Sequence, residues 1–183
     1  MKKLLVLLVA LVLVGGVVHT ASTDETILSD VVAQAKGQLT AEVKMNDLEK
    51  LFDGQMATLK DRGTPEQIVE ILRGQKGSVL KKASEMAIGD GNTPFLPVIP
   101  RTFRSPYDLM AMVRNGNKMG YTYLNPTAIS DVVDAPQEPY YIYDVEDGES
   151  TRGKSPENAE KTFKSQKRSP LTAAEVMALT THT

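Results

Sequence analysis

Cysteine is absent from all 183 residues, and tryptophan is absent as well. The first absence excludes disulfides, thiolate metal sites, thiol nucleophiles and a lipidated N-terminal cysteine together. It leaves the compartment open, because an exported protein can do without disulfides. The second, in a chain with only 5% aromatic residues, argues against a sugar site built on flat aromatic platforms. Histidine is nearly missing, with His19 and His182 alone. No Gly-x-Ser-x-Gly elbow accompanies the serines. Gly89-x-Gly91 lacks the third glycine of a phosphate-binding loop, and no clear strand precedes it. A basic surplus is also lacking. The formal charge is −2, so the sequence carries no nucleic-acid footprint and none is expected. No cofactor is expected either.

What is present starts with Lys2 and Lys3, followed by an uninterrupted apolar run from Leu4 to Val18. A basic start and an apolar stretch of this length form the pattern of a signal peptide. The run is shorter than the roughly 20 residues that span a bilayer. Small residues follow at Thr20, Ala21 and Ser22. Residues 1–21 are therefore read as a cleaved leader ahead of the rival reading, an uncleaved N-terminal anchor. The remainder has the composition of a globular protein, with 41% hydrophobic and 24% charged residues overall. Its size suits one ordinary domain.

Residues 22–88 read as a helical segment. A helix from Asp24 to Gly37 carries Ile27, Leu28, Val31, Val32 and Ala35 at three- and four-residue spacing. A second is expected after Thr40, with Val43, Leu48, Leu51, Phe52, Met56 and Leu59. Thr64-Pro65-Glu66-Gln67 reads as a capping box opening a helix whose buried stripe is Ile68, Ile71 and Leu72. Gly74 and Gly77 bracket a break before a short helix over Ser78–Met86. The turn cluster Gly89-Asp90-Gly91-Asn92 then marks a boundary.

Residues 89–183 read as an α+β domain. Phe95–Ile99 is a short strand, placed at an edge by Pro97, which donates nothing to a ladder. Ser105-Pro106 starts a helix that Asn115-Gly116 stops. Tyr121–Leu124 is a second short strand, and a helical turn runs from Asn125 to Ile129. Pro139–Val145 is the strongest strand, rich in aromatic and β-branched residues, and Asp147-Gly148 turns it. Ser155-Pro156 opens a helix with Ala159, Thr162 and Phe163 inward. Thr172-Ala173-Ala174-Glu175 is a capping box for the last helix, which carries Val176, Met177 and Leu179. The expected fold class is α+β: a helical N-terminal half, then a small few-stranded sheet with helices.

The blocks Pro94-Phe95-Leu96-Pro97-Val98-Ile99-Pro100, Gly120-Tyr121, Pro139-Tyr140 through Glu149, and Arg168-Ser169-Pro170-Leu171-Thr172-Ala173-Ala174-Glu175, with Ala178-Leu179 and Thr181-His182, resemble an uncharacterised bacterial family, a domain of unknown function. The resemblance covers residues 94–182. It implies longer relatives that continue into a Trp- and Cys-rich segment and lack an obvious leader. Any chemical site in that segment is not carried by this chain. The resemblance implies a fold neighbourhood and no activity.

Four acids, Asp144, Glu146, Asp147 and Glu149, crowd one loop and are the candidate metal ligands, although their spacing is not that of an EF-hand. A solvated strand end with an Asp-Gly turn is the commoner meaning of such a loop. Residues 131–149 hold seven acids and no base, whereas residues 152–168 hold six bases and two acids. Two readings follow: an acidic face that recruits a cationic partner, or adjacent segments that neutralise each other. No catalytic set emerges. His182 is the one candidate general base, near the chain end where fraying is expected. Tyr121, Tyr140, Tyr141 and Tyr143 are the candidate binding residues. In a strand, Tyr141 and Tyr143 share one face and Tyr140 takes the other.

These observations point to an exported protein, in the periplasm, cell envelope or medium, acting as a non-enzymatic binding or interaction module. A protein partner would suit it, and membrane contact would come only through an uncleaved N-terminus. A hydrolase or metal-dependent enzyme using Asp144–Glu149 is the alternative reading, and a functionless relic of the longer family is a third.

Overall fold

The computed structural model describes residues 23–123, 125–128, 130–131 and 133–183. The expected leader therefore lies outside the described residues, as do Leu124 and Ile129. The described residues fall into two units, one that ends at Glu42 and one that runs from Val43 to Thr183.

Helix α1 runs without interruption from Thr23 to Asp61, through both Gly37 and Gly54. The break expected at Gly37 does not occur. A glycine costs a helix about 1 kcal/mol relative to alanine, too little to stop a run of good helix formers. Thr40 does not cap a new helix either. Its hydroxyl donates backward to the Lys36 carbonyl at 2.9 Å, inside the same helix. In the first unit the helix side chains from Ser29 to Glu42 are exposed.

The second unit holds the core. Helix α2, Glu66–Gly74, starts after Pro65, which occupies the cap position without a side-chain bond. The capping box expected from Thr64 is not made, because Thr64 is buried and its hydroxyl donates to Met112 Sδ at 3.9 Å. The buried stripe of α2 is Ile68, Val69 and Leu72, and Ile71 is 39% exposed. Only Gln75 separates α2 from α3, Lys76–Glu85, so Gly77 lies inside α3 rather than in a break.

Strand β1, Thr93–Val98, pairs antiparallel with β4, Tyr140–Val145, with Phe95 opposite Tyr143 and Pro97 opposite Tyr141. Pro97 sits at an edge, as a residue without an N–H must. Between them come α4, Pro106–Met112, capped by Ser105 accepting from Asp108 N, and a hairpin of β2, Arg114–Asn115, with β3, Lys118–Met119. Asn115-Gly116 thus opens a hairpin loop instead of merely stopping a helix, and Gly116 supplies the positive φ of +58° that the two-residue loop needs. The strand expected over Tyr121–Leu124 is not formed at residues 121–123. The hairpin takes its hydrogen bonds upstream, and Tyr121 and Tyr123 stand 72% and 89% exposed. A short 3₁₀ turn, Pro126–Ala128, follows, and another, Glu149–Thr151, comes after β4. Helix α5, Pro156–Ser165, turns Ala159, Thr162 and Phe163 to its half-buried side. Helix α6, Ala173–His182, opens with the complete Thr172–Glu175 capping box.

Two strands alone are marginal in water, so the sheet depends on what covers its faces. On one face Phe52 of α1 packs on Phe95 and stacks on Tyr141, with centroids 6.2 and 5.7 Å away. On the other, Leu96 and Val145 pack with Leu179 of α6. The main cluster draws on Leu48, Phe52 and Leu59 before the Gly89–Asn92 turn, and on Phe95, Leu109 and Met177 after it. That turn lies within the second unit.

Phe52 is fully buried and joins the helices to both strands. Phe52→Ala is expected to destabilise the fold by about 3–5 kcal/mol, read from denaturant midpoints. Ile71→Ala, on the exposed side of α2, is expected to change stability by less than about 1 kcal/mol. Equal losses would contradict this placement of the core.

Candidate functional site

Asp144 is the next-to-last residue of β4 and takes a φ of +53°, a left-handed conformation that favours glycine and tolerates aspartate. Its carboxylate is surrounded by donors. Oδ1 accepts from Gly89 N at 2.8 Å and Asn92 Nδ2 at 2.7 Å, and Oδ2 accepts from Arg168 Nη1 at 2.7 Å. Arg168 Nη2 also donates to the Asp144 carbonyl. One residue thus ties together the 89–92 turn, the end of β4 and the segment before α6. A Cβ at Gly89 would lie 2.6 Å from Asn92 Nδ2 and would push that amide from its place on Asp144. Burial pushes the Asp144 pKa up. The bonds from Asn92, Gly89 and Arg168 outweigh it and hold the carboxyl below its usual range.

Arg168 is aimed by local structure. Helix α5 ends in a Schellman pair, Arg168 N to the Phe163 carbonyl at 2.9 Å and Lys167 N to the Lys164 carbonyl at 3.2 Å. That motif needs a left-handed residue after the cap, normally glycine. Here it is Lys167, with φ +55°. Asp144 and Lys167 are the two non-glycine residues of positive φ among those described, and both line the same groove.

The groove measures about 830 Å³ and lies over β4. Its strand side runs from Ile142 to Gly148, and its other wall from Lys167 to Leu171 and along α6. Phe163, Leu171, Val176 and Leu179 make it partly apolar, and Asp134, Glu146 and Asp147 stand around it.

The candidate metal ligands do not converge. Glu146 Oε1 accepts from Ser150 N at 3.1 Å, Asp147 Oδ1 from Glu149 N at 2.9 Å, and Glu149 lies 3.4 Å from Arg152. Among the described residues no three His, Asp or Glu side chains are grouped to hold a metal. The tyrosines separate likewise. Tyr141 is core, its hydroxyl near the Leu72 carbonyl at 3.4 Å, and Tyr143 carries Lys82 Nζ over its ring at 4.1 Å. Tyr140, on the opposite face, donates to Glu175 Oε1 at 3.0 Å. Burial and then the Glu175 carboxylate raise its pKa. Tyr121 is remote from these three in contact and meets Tyr123 edge-on at 5.3 Å.

His182 is not frayed. It forms the last residue of α6, packs beside Met112, Met177 and Ile99, and has a buried Nε2 with no hydrogen-bond partner. Burial, helped by the positive charge of Arg62, pushes its pKa down to about 4. It is outside the groove and does not serve chemistry there.

Sequence reasoning missed Gly89, Asn92, Lys167 and Arg168 as site residues. The signal for Arg168 was present in the basic run that follows the acidic one, and the Asp144–Arg168 bond is that neutralisation made concrete.

The class of protein is thereby defined as a small α+β fold with a two-stranded sheet covered by helices and an open groove over its second strand. The chain belongs to a family of unknown function, DUF5701, which residues 50–183 match. The membership read from residues 94–182 is borne out and extends back to Lys50. No curated protein and no solved structure matches the chain.

Asp144→Ala removes the acceptor shared by three donors and is expected to cost about 2 kcal/mol. Lys167→Gly relieves a left-handed side chain and is expected to add about 1 kcal/mol, both by chemical denaturation. A loss on Lys167→Gly would sink the strain assignment. His182 predicts a pH effect. Unfolded, it takes a proton near pH 6.5, but folded only near 4, so the unfolded state binds more protons between these values. Stability is then present above pH 6.5 and lost as pH falls toward 4, by up to about 3 kcal/mol. His182→Leu should flatten that window and leave the Asp144 loss below pH 3.8 in place.

Proposed function

We propose that this protein is a non-enzymatic binding module of the cell envelope, exported by its N-terminal segment, with the groove over β4 as its contact site. The observation that carries this reading is the state of the groove's polar groups. Asp144 and Arg168 satisfy each other, Glu146 and Asp147 hold the turn after β4, and Glu175 caps α6 and receives Tyr140. A carboxylate with a lowered pKa and three donors is a poor general base, because its basicity is already spent. What remains open to a ligand is shape, apolar surface and residual negative charge, which are means of binding. Export rests on the Lys2-Lys3 pair and the apolar Leu4–Val18 run.

Two measurements test the proposal. Intact mass after expression with the native N-terminus, in soluble and membrane fractions, should give an envelope species lighter by the leader. A full-length cytoplasmic species would end the envelope reading. Thermal unfolding should be unchanged between Ca²⁺ and a chelator, and stabilisation by the ion that Asp147→Asn abolishes would overturn the non-metal part.

A further inference from the structure

We propose that the groove receives an extended, basic segment of another protein, which adds to the free edge of β4 as a third strand. This deepens the reading of the groove as a contact site and rests on it.

The argument begins with the phase of the sheet. In an antiparallel pair, directly opposed residues turn their main-chain groups either both toward the partner or both away. Pro97 has no N–H, and the Phe95 carbonyl accepts from Gln55 Nε2 at 2.8 Å, so this phase of β1 faces away from β4. Tyr143 opposes Phe95 and Tyr141 opposes Pro97. Their N–H and C=O groups therefore point away from β1. Pro139, two residues before Tyr141 and in the same phase, has its carbonyl taken by Gln75 Nε2 at 2.8 Å.

The two edges of the sheet are thus treated differently. The outer edge of β1 is blunted by Pro97, which has no N–H, and by the Gln55 side chain on the Phe95 carbonyl. Among the described residues the β4 edge is met by Gln75 at its start and by no further hydrogen bond at Tyr143, which already lines the groove. An edge of this kind is a template for another strand.

Charge and shape select the occupant. The groove is lined by five acids, Asp134, Asp144, Glu146, Asp147 and Glu175, against two bases, Lys167 and Arg168, and Arg168 is already held by Asp144 at 2.7 Å with Glu146 4.0 Å away. That surplus calls for lysine or arginine on the incoming segment. Strand alternation would lay its other side chains on Leu171, Val176 and Leu179. A second copy of this chain is the poorer occupant. Its own β4 stretch, residues 131–149, holds seven acids and no base, so a second copy would bring none of the lysine or arginine that the groove calls for.

The test is an NMR titration of the full chain with a short synthetic peptide alternating lysine and valine, and with its glutamate–valine counterpart. The lysine peptide should bind and slow amide exchange at Tyr143 roughly tenfold or more, and the glutamate peptide should do neither. Asp147→Lys and, on a separate segment, Asp134→Lys should each weaken binding several-fold while the far core signals of Phe52 stay put. Equal binding of both peptides, or of neither, overturns the proposal. Shifts at Leu171 and Leu179 without protection of Tyr143 leave the groove a contact site but refute strand addition. Protection of Tyr143 without peptide, with concentration-dependent sedimentation, makes the second copy the occupant and also refutes it.

Discussion

The antiparallel ladder between Thr93–Val98 and Tyr140–Val145 brings together two segments some forty residues apart, and everything in the compact unit is arranged to make it hold. Two strands cannot bury a core by themselves. The fold answers by clamping both faces. Phe52 supplies the largest contact on one side, between the rings of Phe95 and Tyr141. Leu179 of α6 seals the other, and the Thr172–Glu175 box sets where that helix begins. Glu175 then does a second job by accepting from Tyr140 on β4, so the helix cap and the sheet are locked through one carboxylate. Removing one layer exposes the other, because neither face has strands to spare.

The left-handed turn at Asp144 has consequences beyond its own bonds. Strict alternation would put Val145 on the same face as Tyr141 and Tyr143. It packs instead with Leu96 and Leu179, on the face that Ile142 shares. A positive φ one residue earlier accounts for this change of side. It also brings the Asp144 carboxylate under the Gly89 N–H and opposite Arg168. Strain at Asp144 and Lys167 is offset by the hydrogen bonds each conformation makes possible, and both residues open onto the groove.

Much of the local structure was legible in the residues. Ser105, Ser155 and Thr172 announce three helix starts, because a side-chain oxygen three residues before a free N–H is sufficient to cap it. The aromatic and β-branched run of Tyr140–Val145 makes a strand as expected, and Pro97 correctly marks an edge. The failures share one cause. Thr64 has the composition of a cap and is used in the core. Ile71 has the spacing of a buried residue and faces water, because Val69 meets the neighbouring layer. Gly37 looks like a terminator in a helix whose neighbours have no reason to stop. In each, a signal worth about 1 kcal/mol was outweighed by context.

The residues alone decided the helix-rich α+β class, the absence of thiol chemistry, the pairing of an acidic stretch with a basic one, and family membership. These are local or additive properties, readable from spacing and counts. Only the tertiary structure decided that Asp144, rather than the whole acidic cluster, is the centre of the groove, and that its partners are Gly89, Asn92 and Arg168. It also decided the register of the two strands, and so which main-chain groups of β4 face β1 and which face away. Those outcomes depend on which segments meet after the chain folds back on itself. Hydrogen bonds over such separations leave no period in the sequence.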